Sequence, residues 1–130
     1  MCIRDSNGTY QPLQKPSPEE QQLLDRYDAP PYVPGETAGA IPFVDVGNLY
    51  VLSGASFSPG LLTNRSWEQI AASLKDPGSD TAKGIVGGAN LLTAAICQAT
   101  ADLPGDVCSQ PAIKQLAAEL ARLSPPGGTG

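Results

Sequence analysis

The sequence predicts a mixed α/β chain, α+β within these 130 residues, built as a β-hairpin flanked by helices. Three observations predict it. Two apolar, β-rich runs, Ile41-Pro42-Phe43-Val44-Asp45-Val46 and Leu49-Tyr50-Val51-Leu52-Ser53, are separated by Gly47-Asn48. A two-residue Gly-Asn loop suits the primed turns that join antiparallel strands. Ser17 and Ser66 each stand three residues before a Glu or Gln (Glu20, Gln69), the spacing of a capping box at a helix start. Finally, residues 80–101 hold apolar side chains at helical spacing and contain no proline, as a long amphipathic helix requires.

Taken in order, residues 1–16 are expected to be a disordered or artefactual N-terminal segment. MCIRDS (Met1 to Ser6) has no apolar stretch of the kind a signal peptide needs. It looks like a translated adaptor, so Cys2 is set aside and a start further upstream is expected. Residues 7–16 are polar and proline-interrupted. A helix follows over 17–28, with Ser17 as cap, Pro18 at the first helical position, and Leu23, Leu24 and Tyr27 on one side. Pro30, Pro31 and Pro34 lack the N–H donors a helix needs, so residues 29–39 read as a rigid, extended connection. Both faces of the hairpin are mostly apolar, which predicts cover on both sides. Pro42, unable to donate to a ladder, reads from local sequence as a trans proline at a strand start.

Beyond the hairpin, Ser58-Pro59 begins a single turn through Leu62. Ser66 starts a helix to Lys75 expected to bury Trp67, Ile70, Ala71 and Leu74, and Asp76-Pro77-Gly78 stops it. The long helix runs from Ser79 or Asp80 to about Ala101, with Ile85, Ala89, Leu92, Ile96 and Ala99 as its apolar stripe. Gly84, Gly87 and Gly88 each weaken it by ~1 kcal/mol relative to alanine, which is tolerable where another element comes close. Leu103-Pro104-Gly105 is a turn, Ser109-x-Pro111 opens a terminal helix over 109–123, and residues 124–130 form a disordered tail.

Composition excludes several chemistries. The chain has no histidine, which removes Ser–His–Asp and Cys–His catalysis and any His-based metal or haem site. A net charge of −5 offers no basic surface for a nucleic-acid backbone. No stretch holds 18 uninterrupted apolar residues, so no segment reads as a membrane span. Cys97 and Cys108 lie eleven apart, across a Pro-Gly turn, and a structural disulfide reaches across such a turn easily. Buried free thiols and a redox-active pair are the alternatives. Against the latter, a helix C-terminus raises a thiol pKa, whereas redox cysteines sit at helix N-termini. Two cysteines without histidine do not make a metal site, and no cofactor is implied.

Other motifs carry little. Ser53-Gly54-Ala55-Ser56 has no histidine base or strand–GxSxG–helix context. Asp45 is a lone carboxylate, and Gly84-x-x-Gly87-Gly88 does not follow a strand as a phosphate loop should. Asn7-Gly8-Thr9 and Asn64-Arg65-Ser66 match the glycosylation triplet, a pattern short enough to arise by chance. No residue of the chain reads as catalytic.

The order helix, extended connection, X-Pro strand, tight turn, antiparallel strand and helix resembles the C-terminal half of the thioredoxin fold. More specifically, GAIPFVDVGNLYVLSGASFSPGLL, WEQIAASLKDP, GGANLLTAAIC, YDAPPYVP and the closing VC are similar to the domain-of-unknown-function family 929, over residues 10–108. The resemblance implies that residues 17–108 are the C-terminal part of a thioredoxin-like domain with a helical extension. It implies a cis bond at Ile41-Pro42, a glycine (Gly54) after the second strand, and Ile41 and Pro42 as residues that meet an extended polypeptide substrate. It further implies an extracytoplasmic, membrane-anchored parent whose Cys-x-x-Cys segment exchanges thiols and disulfides. These 130 residues contain no Cys-x-x-Cys, so the chain itself is expected not to catalyse that exchange. The competing expectation is a non-catalytic binding or structural domain of the cell envelope.

Overall fold

The computed structural model describes residues 2–4, 10–12 and 14–123. The expected tail at 124–130 and the Asn7-Gly8-Thr9 triplet lie outside them. The chain forms two compact units, Met1–Gly39 and Ala40–Gly130. The division follows the proline-rich connection, which cannot continue either neighbouring element.

In the first unit, β1 (Cys2–Arg4) pairs antiparallel with β2 (Tyr10–Pro12), Ile3 opposite Gln11. No strand was expected here, because three residues are too few to show an alternation. Helix α1 (Pro18–Tyr27) starts as its capping box requires. Glu20 N–H donates to Ser17 Oγ at 3.2 Å, and Ser17 N–H donates to Glu20 Oε2 at 2.7 Å. Its buried end residue, Tyr27, meets Tyr32 edge-on with centroids 5.0 Å apart. Residues 29–39, expected to be extended, instead fold back. Tyr32 and Val33 donate to Ala29 O, Gly35–Thr37 makes a 3-10 turn, and Gly39 N–H donates to Asp28 Oδ2 at 2.9 Å. The prolines remove donors but leave carbonyl acceptors, and their neighbours use them.

The second unit holds the hairpin and the remaining helices. Strands β3 (Phe43–Val46) and β4 (Tyr50–Ser53) pair with Val44 opposite Leu52 and Val46 opposite Tyr50. Gly47 and Asn48 both take positive φ, +60° and +58°, as a primed turn needs. The loop, however, is three residues long. Leu49 N–H closes the turn on Val46 O, and Tyr50, not Leu49, pairs with Val46. A one-residue change in register moves a strand's whole side-chain set to its other face, so Tyr50 and Leu52 join Val44 and Val46. All eight strand residues are half-buried; the expected cover on both faces is partial. The Pro30–Pro31, Ile41–Pro42 and Leu103–Pro104 peptide bonds are cis.

A 3-10 turn (Pro59–Leu62) capped by Ser58 leads to α2 (Trp67–Ser73), whose capping box joins Ser66 and Gln69. Contrary to expectation, α2 has no buried residue. Helix α3 (Asp80–Ala99) then runs through the unit, followed by α4 (Gly105–Cys108) and α5 (Pro111–Leu123). One helical turn, α4, therefore stands just after Leu103-Pro104, at the expected turn. The core lies between α3 and α5, where Ala94, Cys97, Cys108 and Ile113 are buried and Leu116, Ala117 and Leu120 pack on them. The stripe read from α3 was Ile85, Ala89, Leu92, Ile96 and Ala99. Of these Ala89, Ile96 and Ala99 are exposed, because α5 docks on the neighbouring face of small residues.

The glycines of α3 divide as close packing dictates. A Cβ on Gly84 would lie 2.4 Å from Leu61 Cδ1, and one on Gly88 3.1 Å from Ser56 O, while Gly87 meets nothing within 4 Å. In the hairpin, Gly47 faces Ala99, with 3.3 Å between its Cβ position and the Ala99 Cβ. Gly47→Ala should therefore cost about 1–2 kcal/mol through its left-handed backbone. Gly87→Ala should instead stabilise by up to about 1 kcal/mol. Urea titrations of both variants check the opposite signs.

Candidate functional site

The two features singled out in the sequence lie at different places in the second unit. Ile41 is 88% exposed and Pro42 is exposed beside it. They open β3, and Pro42 O accepts from Gly54 N–H at 2.8 Å. Gly54, at φ +80°, ends β4 with a conformation that glycine alone adopts at little cost. Among the described residues the sheet consists of β3 and β4 only, so each strand has one edge without a partner strand. The Pro42–Gly54 bond and the register place the backbone groups of Phe43 and Asp45 on one edge and those of Val51 and Ser53 on the other. The Asp45 carboxylate serves the turn, accepting from Asn48 N–H at 2.8 Å. Ser53 Oγ is buried with no hydrogen-bond partner.

The disulfide sits by the other end of the hairpin. Cys97 and Cys108 are bonded, with Cα atoms 5.6 Å apart, and they are only 2% and 3% exposed. Gly47 touches Ala99 two residues beyond Cys97, so about 13 Å of strand separates Pro42 from this end. The structure thus does not bring the cysteines to Ile41 and Pro42. A thiolate attacking the bridge must reach a sulfur, and the burial of both half-cystines blocks that approach. The bond links α3 to α4.

Sequence reading missed Gln98. From α3 it accepts a hydrogen bond from Tyr50 Oη on β4 and donates one to Ala117 O on α5. One amide thus ties hairpin, long helix and terminal helix together. Its two ends are assigned by chemistry, since a carbonyl can only accept and a phenol here donates. A lone Gln in an apolar helix was the available signal.

A second missed feature is an open groove of about 320 Å³ between the end of α2 and the start of α3. Leu74, Lys75, Pro77, Ala82, Lys83, Val86 and Gly87 line it. Near the start of α2, the Ser66 hydroxyl and the backbone N–H of Glu68 hold the Glu68 carboxyl below its ordinary pKa. Its favourable contribution is complete above the ordinary carboxylate range and is lost as pH falls through the lowered value. Among the described residues, no three His, Cys, Asp or Glu side chains gather as metal ligands would, and no helix is long and apolar enough to cross a membrane.

The family model described as a domain of unknown function, DUF929, matches residues 6–98. The chain belongs to the DUF929 family. The match takes in the Ile41-Pro42 hairpin, α2 and most of α3, and it includes Cys97 and Gln98 but not Cys108 or α5. No curated protein and no solved structure matches the chain.

Proposed function

We propose that this DUF929 chain is the polypeptide-binding, C-terminal portion of an extracytoplasmic thioredoxin-like protein, and that it does not itself exchange thiols and disulfides. One observation carries the reading: the exposed Ile41-Pro42 end of the hairpin stands next to open strand edges, while both half-cystines are buried. An extended peptide can add to such an edge through main-chain hydrogen bonds, and nothing there supplies a reactive thiol. The Cys97–Cys108 bridge is in keeping with an oxidising compartment, where such bonds persist. By resemblance, Ile41 and Pro42 are the residues that meet the substrate, and a membrane-anchored parent would supply the Cys-x-x-Cys.

With dithiothreitol and insulin, the chain should give no acceleration of insulin reduction over the blank; clear turnover would overturn the reading. An extended peptide should shift the amide resonances of Phe43, Asp45, Val51 or Ser53 in a heteronuclear NMR titration. A second reading, a non-catalytic envelope module, shares the binding surface but not the redox parent. It is favoured if the gene upstream of Asn7 encodes no Cys-x-x-Cys within about one βαβ unit, which spans 30 or more residues.

A further inference from the structure

The surface that packing leaves unexplained is the apolar face of α2. Trp67, Ala71 and Leu74 stand at i, i+4 and i+7, which is one face of a helix. Leu74 keeps this spacing because its backbone remains helical and its N–H donates to Ile70 O. All three are exposed, and Trp67, the chain's only tryptophan, is 75% exposed. A lone exposed leucine is ordinary, but a tryptophan continuous with an apolar groove marks an interaction surface.

The two ends of this face have opposite shapes. Trp67 projects at one end. At the other, Leu74 leads into the groove floored by Pro77, Ala82, Val86 and Gly87, where the missing Gly87 Cβ leaves space. Seven residues separate knob and hole, about 10 Å along the axis. Ala71 lies between them with the smallest side chain that keeps the helix, so another helix can come close there. The charges along the stripe and groove lining follow the same polarity, because Arg65 is turned to Ser73 Oγ at 3.2 Å and Asp80 stands outside the groove lining. Glu68 adjoins the tryptophan, while Lys75 and Lys83, two of the chain's four lysines, border the groove. Asp76 near the groove is turned to its own loop, accepting from Gly78 N–H at 2.9 Å.

A surface with a knob and acid at one end and a hole and bases at the other is complementary to itself turned by a two-fold axis. We propose that two copies of this chain associate by antiparallel pairing of α2 about Ala71, each Trp67 entering the other's groove and each Glu68 facing the other's Lys75 and Lys83. A two-turn helix and one groove form an interface at the small end of the specific range, so the dimer is weak and concentration-dependent.

The test is sedimentation equilibrium of the full chain from about 1 to about 500 μM, a span covering weak dimerisation, with tryptophan emission recorded in parallel. The expected result is a monomer–dimer equilibrium in which emission moves to shorter wavelength as the dimer fills, because the single indole leaves water. Trp67→Ala should weaken association about tenfold or more, the usual consequence of truncating an aromatic anchor. Glu68→Lys alone, or Lys75→Glu with Lys83→Glu, should also weaken it, and combining all three should restore it, since the reversed charges again oppose each other. Circular dichroism and urea midpoints identify any variant that has failed to fold. A chain that stays monomeric with unshifted emission overturns the proposal, as does a dimer that Trp67→Ala leaves unchanged. An emission shift that appears only with anionic vesicles or an acidic peptide also overturns it, and assigns the face to that partner.

Discussion

Cys97→Ala combined with Cys108→Ala is expected to lower the unfolding free energy by about 3 kcal/mol, the chain-entropy value for so short a closed loop. The bridge spans 11 residues, so it restricts a limited part of the unfolded chain. Its native setting adds to its weight. Both half-cystines belong to the buried cluster with Ala94 and Ile113, and the bridge anchors α4, which leads directly into α5. Without it the only covalent path from the end of α3 to the start of α5 is the chain through Leu103-Pro104 and α4, and packing and the Gln98–Ala117 bond alone hold the two helices together. Paired urea titrations with and without reductant check the effect. The wild-type midpoint should fall in reductant toward that of the double variant, and the variant's midpoint should not move. The bridge is reduced in the unfolded state before each reducing titration, and a midpoint that does not move once both thiols are free would show that the bridge does not brace this core. Non-reducing mass spectrometry should recover the linked Cys97–Cys108 peptide directly.

Gln98→Ala should cost somewhat less, about 1–3 kcal/mol for two hydrogen bonds, for a different reason. The substitution leaves the half-buried Tyr50 hydroxyl without this partner and takes one of two donors from Ala117 O, which keeps its place in the α5 ladder. Each hydrogen bond lost contributes about 0.5–1.5 kcal/mol. Tyr50→Phe removes one donor and leaves the Gln98–Ala117 bond in place, so it should cost only about 1 kcal/mol. In a double-mutant cycle the two substitutions should couple by about 1 kcal/mol. Additivity within experimental error would mean that hairpin and α3 are held by apolar packing alone. Gln98→Glu is a sharper control. Its carboxylate still accepts from Tyr50 but turns an acceptor on Ala117 O, so most of the loss should remain at neutral pH.

How much of this was legible depended on the range of the interaction. The Ser17–Glu20 and Ser66–Gln69 boxes are closed within one helical turn, and both form where the spacing placed them. The positive φ of Gly47 and Asn48 is equally local. The hairpin register was not. A Gly-Asn pair permits a two-residue loop, and the three-residue loop found here puts Tyr50 on the Val46 face, within reach of Gln98, 48 residues away. The same limit explains α3. Periodicity chose a stripe through Ile96 and Ala99, but docking of α5 selected Ala94 and Cys97 instead, since small side chains let two helices approach.

The candidate site shows the same division. That Ile41-Pro42 opens a strand and that Cys97 and Cys108 can bridge a turn were visible as local patterns. Their separation was not, because it depends on which end of the hairpin meets α3. The α2 stripe is the clearest case: its spacing is that of a buried face, yet Trp67 and Ala71 are exposed and Leu74 is covered only in part. Amphipathic spacing records that a face is apolar, not what lies against it.

By itself, then, the sequence determined the helix starts, the hairpin and its left-handed turn, the reach of the disulfide, and the absence of imidazole chemistry. Each of these rests on residue identity or on contacts a few residues apart. Tertiary structure alone decided the strand register, the buried face of α3, the burial that keeps both half-cystines from attack, and the exposure of Trp67. Each of those depends on which distant surfaces exclude water from one another, and a lone Gln98 in its helix marks a polar need without naming Tyr50 or Ala117 as its partner.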